Sequence, residues 1–296
     1  MDKSTCTRSE TLSATAYETT ESWRRLSSLR QREVRLSQQQ PMKPEAEVRP
    51  YIAELHVHTV VSPCAAVEMI PPLIVQKALE KGIDLIAVTD HNSSANVEAV
   101  QKAAAGTGLT VLPGMELQTR EEVHLLCLFD TLAQLKTWQA VVDERLPPLE
   151  NNIEYFGEQF VVDETGEFVR RETQLLVTSA DLSLQEAVER VLDLGGMAIP
   201  AHVNRPAFSL IANLGFVPPG LPVDALEISR HLSLAEAREK YTQLRDFALI
   251  QGGDVHFLHE FLGANLFNVA APTLAELRLA LRNEQGRSLV IQPDTN

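Results

Sequence analysis

Imidazoles and carboxylates recur along this chain in short, regular spacings. They are Glu54-Leu55-His56-Val57-His58, Thr89-Asp90-His91, Glu116 with His124 after it, Ala201-His202, and Gly252-Gly253-Asp254-Val255-His256. Residues two apart on a strand share a face, so His56 with His58, and Asp254 with His256, can reach one ion. Neutral imidazoles and ionised carboxylates are the usual ligands of divalent transition metals. Taken singly, each group has an ordinary structural reading. HxH can be two satisfied histidines on a strand face, Asp90 with Asn92 or Asp254 can cap a helix, and His202 or His256 can be core residues with local hydrogen bonds. Taken jointly they differ, because acids and imidazoles at the ends of five elements carry a heavy desolvation cost unless something positive pairs with them. Metal ions supply that charge. Asp90 also reads as a carboxylate that orients a ligating histidine from behind.

These side chains need elements to hold them. Strands are expected at residues 51–58, 83–89, 109–117, 123–129, 197–202, 225–228, 249–253 and 288–291, and helices at 71–81, 94–105, 132–145, 184–194, 234–247 and 274–282. Ile83–Thr89 (IDLIAVT) is a continuous apolar run, as in a strand buried on both faces. Strands separated by 10–15-residue helical patterns indicate βαβ units around a parallel sheet or barrel. Only Gln118–Glu122 joins the strands at 109–117 and 123–129, too little for a crossover, so that pair must be antiparallel. It brings Glu116 and His124 to one end of the sheet. About seven such strands fit a (β/α) barrel, whose chemistry sits at the C-terminal strand ends. A doubly wound open sheet is the alternative, but no Gly-rich phosphate loop follows the first strand. Residues 147–183 form an insert whose FVVDETGEFV segment reads as a hairpin, either a lid over the site or a plain surface feature.

Composition narrows the classes. The chain has 296 residues, 44% hydrophobic and 22% charged, which is globular composition. No apolar run approaches the ~18 residues of a membrane span, and the first residues lack a signal-peptide core. Cys6, Cys64 and Cys127 form no CxxC pair, which suits a reduced, cytoplasmic protein. Residues 1–48 are rich in Ser, Thr, Gln and Arg with no sustained period and read as a disordered extension, with Met42 as an alternative start. Residues 1–50 carry 9 Lys+Arg and 7 Asp+Glu, which leaves 17 against 33 in the remainder, a net of -16. That acidity opposes extended nucleic-acid binding. Aromatic residues make up only 5% of the chain, few for stacking along a single strand.

HVH (56–58), TDH (89–91), GME with EVH (114–116, 122–124), AH (201–202) and GGDVH (252–256), in this order from about Ile52 to Phe257, resemble the PHP (polymerase and histidinol phosphatase) superfamily. The segments SPC, TREEVHLLCLF and NLGFVPP are similar to stand-alone bacterial members. The resemblance implies a distorted (β/α)7 barrel over residues 49–296 that holds two or three divalent ions, zinc, manganese or iron. It implies that His56, His58, Glu116 and Asp254 hold one ion, that Glu116 bridges to a second held by His124 and His202, and that His91 and His256 serve a third. Members usually have Asp or His a few residues after HxH. Here the segment is Ser62-Pro63-Cys64-Ala65-Ala66-Val67-Glu68, which leaves Glu68 as a possible third-site ligand, Cys64 as a soft one, or the position weak.

The activity implied is hydrolysis of a phosphate ester by a metal-bridging hydroxide. Glu116, Asp254 and His256 are then the catalytic residues, with His256 or the third cation at the leaving group. Arg205 is the best candidate phosphate ligand, because a guanidinium grips phosphate in bidentate fashion; Arg120 and Arg230 also follow strand ends, and surface salt bridges are the alternative for all three. His231 and His259 match no motif. The expected substrate is a small phosphate ester, a nucleotide or a sugar or amino-alcohol phosphate. The rival readings are an exonuclease acting on nucleic-acid ends, a metal-binding regulatory module with weak catalysis, and an amidohydrolase.

Overall fold

The computed structural model describes residues 47–292. The expected extension therefore lies outside the described residues but for its last two. Strands are β1 (Arg49–Val57), β2 (Leu85–Val88), β3 (Thr110–Gln118), β4 (His124–Leu128), β5 (Phe160–Val162), β6 (Phe168–Arg171), β7 (Met197–Pro200), β8 (Leu226–Ser229), β9 (Leu249–Gly252), β10 (Asn265–Val269) and β11 (Ser288–Ile291). Helices are α1 (Pro71–Glu80), α2 (Val97–Ala104), α3 (Leu132–Asp143), α4 (Ile153–Phe156), α5 (Leu184–Asp193), α6 (Leu210–Leu214), α7 (Leu234–Lys240) and α8 (Leu274–Leu281).

One sheet runs β11-β10-β1-β2-β3-β4-β7, and β8 with β9 forms a separate parallel pair. β1, β2 and β3 are parallel, whereas β3/β4 and β4/β7 are antiparallel, as the short link after Gln118 requires. The β8–β9 pair fills the remaining gap. On one side Val203 N–H donates to Glu227 O (2.8 Å) and Asp224 N–H to Ala198 O (3.2 Å). On the other, Val255 N–H donates to His56 O (2.9 Å) and His58 N–H to Val255 O (3.0 Å). The ring is thus β1-β2-β3-β4-β7-β8-β9, a distorted seven-stranded barrel of the α/β class. β10 leaves along the first half of β1 and carries β11.

Burial explains the layers. Along β2, Ile86 and Val88 join a cluster with Ile74 and Val75 of α1, Val97 and Val100 of α2 and Val188 of α5. Leu85 and Ala87 join the other cluster, with Leu126, Ile199, Ile250 and Leu277 of α8. That is the period-two alternation of a strand buried on both faces. The helices start where caps allow: Pro71 and Pro72 open α1, a Thr131/Gln134 capping box opens α3, and Ser183 accepts from Glu186 N–H at α5. The helix expected over 234–247 ends at Lys240 and gives way to a 3-10 turn. Among the described residues no helix is long and apolar enough to cross a membrane.

The insert contains the expected hairpin, β5 with β6, turned at Gly166 (φ +87°). It is docked as a wall. Phe160 N–H donates to Val60 O (3.1 Å), and Asn96 holds the strand at both ends through Phe160 O (3.0 Å) and Val162 N–H (3.0 Å). Val161 and Leu176 pack on Val61.

β10 has no counterpart among the expected strands, because NLFNV is short and shows Asn at both a buried and a half-buried position. Its Asn265 side chain acts as a strand partner for β9: Oδ1 accepts from Gln251 N–H (2.9 Å) and Nδ2 donates to Gln251 O (2.8 Å). Asn265→Ala strands both buried backbone groups, at about 1–3 kcal/mol each. We expect a lower urea midpoint equivalent to about 2–6 kcal/mol; an unchanged midpoint would show that Asn265 does not hold the seam.

Candidate metal centre

All six histidines singled out from the sequence motifs meet at one end of the barrel, brought there from five chain segments. β1 delivers His56 and, one residue beyond its end, His58; His91 follows β2, Glu116 lies in β3, His124 opens β4, His202 follows β7, and Asp254 with His256 follow β9. Asn92 (φ +47°), His202 (φ +30°) and Asp254 (φ +47°) hold left-handed backbone just past strand ends, a conformation that costs non-glycine residues energy and concentrates at functional sites.

Five imidazoles converge on the Glu116 carboxylate. His56 Nε2 (3.2 Å), His124 Nδ1 (2.9 Å) and His202 Nε2 (3.2 Å) face Oε1, while His91 Nδ1 (2.8 Å) and His58 Nε2 (3.5 Å) face Oε2. Asp254 Oδ1 lies 3.3 Å from His56 Nε2 and 3.4 Å from His58 Nε2. Three donor sets each fit within 4.8 Å: His56, His58 and Asp254; His91, Glu116 and His124; His58, His91 and His256. His202 joins through Glu116. His231 and His259 stand outside; His231 lines the cleft and the His259 ring lies tilted against Phe257 at 5.6 Å.

Hydrogen bonding fixes where the lone pairs point. His56 Nδ1 faces both Glu227 oxygens at 3.1 and 3.2 Å, so its N–H belongs there. His58 Nδ1 lies 3.0 Å from Ser62 Oγ, whose own proton goes to Asp90 Oδ1 (2.7 Å). Asp90 also accepts from Thr59 N–H (2.6 Å) and Thr59 Oγ1 (2.8 Å). Asp90 therefore orients His58 through Ser62 and caps no helix. The two Nε2 atoms are left facing each other at 3.1 Å. Two lone pairs at that separation repel unless a proton or a metal ion lies between them. Glu116 Oε2, Asp254 Oδ1 and His202 Nδ1 are also buried without hydrogen-bond partners. The donor set fits divalent cations. Protonation reflects the same field. Burial would raise the Glu116 pKa, but His124, His56 and His91 hold it well below the carboxylate range. Burial would lower His56, yet Glu227, Glu116 and Asp254 drive it well above the usual value.

Two residues to which the motifs gave no role support this cluster. Glu227, a lone acid in the apolar strand β8, is fully buried; besides His56 it accepts from His202 N–H (2.9 Å). Glu54, two residues before His56, accepts from Gly253 (3.0 Å), Leu262 (3.2 Å) and Gly263 (3.3 Å) N–H groups. Burial pushes its pKa up to about 7. The glycine pair before Asp254 follows from these acids. A Cβ on Gly252 would run into the Glu227 carboxylate, and one on Gly253 would sit 2.7 Å from Glu54 Oε2.

The cluster floors a cleft of ≈ 900 Å³, walled by Phe156, Phe208, Arg205, Arg230 and His231. Arg205 pairs with Asp254 Oδ2, so its guanidinium stands beside the donor cluster. Arg230 is engaged by the Gly253 and Glu260 carbonyls, and Arg120 pairs with exposed Asp181 away from the cleft. Glu68 is not brought to the site. Tight turns at Ser62–Ala65 and Ala66–Met69 leave it exposed and put Cys64 in the cleft instead, with Sγ 3.1 Å from His256 Nε2. Burial would raise the Cys64 pKa, but His91 and His256 bring it down to about 6.

The PHP domain family model matches residues 54–244. The chain is 25% identical over 243 residues to the uncharacterized protein YqxK of Bacillus subtilis, covering 74% of this chain and 56% of that protein. An 82-residue stretch is 30% identical to the 5'-3' exoribonuclease Rnm of Salmonella typhimurium, 26% of this chain and 27% of the relative. The lesion-specific endonuclease EndoQ of Pyrococcus furiosus superposes with a TM-score of 0.60 at 20% identity, over 81% of this chain and 58% of the endonuclease. The chain thus spans little more than half the length of YqxK or EndoQ, and the structural likeness is one of fold.

Two outcomes are expected. Glu227→Gln leaves His56 poorly oriented and should weaken metal affinity roughly 10–100-fold in chelator competition; unchanged affinity would remove Glu227 from the centre. Gly252→Ala forces its methyl against an immobilised carboxylate and should lower stability by about 1–3 kcal/mol in thermal unfolding.

Proposed function

The chain belongs to the PHP domain family, and we propose that it is a metal-dependent hydrolase of phosphoester bonds acting on a small phosphate ester, a nucleotide or a sugar or amino-alcohol phosphate. The observation that carries this reading is the convergence of five imidazoles on Glu116 at the floor of a cleft that also presents Arg205. In this reading His56, His58, Glu116 and Asp254 hold one ion, Glu116 is shared with a second held by His124 and His202, and His91 with His256 belongs to a third position. Zinc, manganese and iron all suit imidazole and carboxylate donors. Such ions supply Lewis acidity that activates water near neutral pH and offsets charge on phosphate oxygens.

The remaining work falls to the chain's own groups. Glu227 and the Asp90–Ser62 pair keep the Nδ1 protons of His56 and His58 pointing away from the centre, so both Nε2 lone pairs stay available. Arg205, its side chain 47% exposed, exchanges Asp254 for a phosphate oxygen at little desolvation cost. His256 has Nδ1 fixed by the Asp254 carbonyl (3.0 Å) and turns Nε2 to the cleft, where it protonates the leaving oxygen or helps hold a cation that stabilises it. The cleft volume suits a small ligand. Free Cys64 and Cys127 agree with a reducing compartment, the cytoplasm.

A nucleic-acid end is the second reading, favoured by the likeness to an exoribonuclease and a lesion-specific endonuclease; the net charge of -16 over residues 51–296 weighs against a long duplex footprint. Elemental analysis and a Mn²⁺-supported assay on mononucleotides, sugar phosphates and end-labelled oligonucleotides separate the readings. We expect two or three ions per chain and turnover of a small ester. His58→Ala and Asp254→Ala should each lose more than the roughly 100-fold that an outer-shell partner costs. Preference for oligonucleotide ends would replace the small-ester reading. Bound metal without turnover on any phosphoester would favour a regulatory metal-binding module.

A further inference from the structure

The turn after HVH brings a thiol, not a carboxylate, against the outer part of the centre. Ser62–Ala65 closes on itself (Ala65 N–H to Ser62 O, 2.9 Å), and Ala66 N–H donates to His256 O (2.9 Å), tying this turn to the loop that carries His256. Cys64 Sγ consequently sits 3.1 Å from His256 Nε2. The rings of His58 and His256 stack at 4.1 Å and those of His58 and His91 lie 4.6 Å apart, with donor nitrogens of all three within 4.8 Å of one another. Sulfur and nitrogen ligands of one tetrahedral ion stand roughly 3.5 Å apart, given bonds of about 2.3 and 2.0 Å. Cys64 and His256 are within a few tenths of an ångström of that spacing. Glu68, the nearest carboxylate that follows HxH in sequence, is exposed and pointed elsewhere.

We propose that Cys64 is a metal ligand, forming with His91 and His256 a third, sulfur-containing position beside two nitrogen–oxygen positions. The inference rests on the reading that this cluster holds ions, and it adds a chemical asymmetry. A thiolate favours zinc over manganese or magnesium, whereas carboxylate-rich donor sets accept the harder ions. The third position therefore selects a thiophilic ion. It also gives His256 the ligand role of the two described above. Cys127 offers no alternative sulfur, because it is fully buried with its thiol turned to Leu125 O (3.5 Å).

Cobalt reports the sulfur directly, since thiolate ligation gives a near-ultraviolet charge-transfer band that nitrogen and oxygen ligands do not. The full chain is stripped of metal, titrated with Co²⁺ or Zn²⁺ and dialysed; bound metal is counted, with circular dichroism to verify the fold. We expect the band in the wild-type protein and its loss in Cys64→Ser. Cys64→Ala should retain one zinc fewer than wild type, and Cys64→Asp should regain that ion without the band. Wild-type protein that takes up cobalt but shows no band, or equal zinc in wild type and Cys64→Ala, overturns the proposal. If that protein still binds two ions and turns over a phosphoester, only the Cys64 assignment falls. Wild-type protein that binds no ion at all takes the functional reading with it.

Discussion

A single buried carboxylate sets the terms for the rest of the molecule. Glu116 has zero exposure and five imidazoles within 3.5 Å. Such crowding is tolerable only if positive charge fills the centre and if every ring is held from behind, because a buried, freely rotating histidine would find a better partner elsewhere. Much of the surrounding architecture does the holding. Glu227 grips His56, Asp90 grips His58 through Ser62, and the Phe208 ring stacks on His124 at 5.1 Å.

This demand spreads into backbone positions that carry no chemistry themselves. Placing Glu54 and Glu227 beneath the cluster leaves no room for side chains opposite, which is why β9 ends in Gly252 and Gly253 follows it. The strand ends then turn through left-handed backbone at His202 and Asp254 to aim their side chains inward. The docked insert belongs to the same chain of support: Asn96, which clamps β5, also donates to Thr59 Oγ1 (2.9 Å), and Thr59 donates to Asp90.

The clustering of the six histidines with Glu116 and Asp254 was legible in the sequence because they recur with strand spacing at the ends of apolar runs. So was the antiparallel step between β3 and β4, since five linking residues permit nothing else. Glu54, Glu227 and Asn265 were not, because one polar residue in an apolar run does not reveal which distant group it will meet. In retrospect, an acid inside LEIS and a Gly-Gly pair before DVH were the visible signs of Glu227. Glu68 misled for a related reason. Counting residues after HxH says how far a side chain lies along the chain, but not which way two successive tight turns will face it.

The seam of the ring gives the centre a mechanical character. β8 and β9 form a two-stranded panel joined to β7 on one side and β1 on the other by only a few backbone hydrogen bonds. Glu227, Asp254 and His256 ride on or just beyond this panel, while His56, His58, Glu116 and His124 belong to the continuous sheet. An excursion that loosened the panel as a unit would carry one jaw of the cluster away from the other. A cation gripped by both jaws acts as a clasp on the barrel, so tightness of closure and occupancy of the centre become one equilibrium.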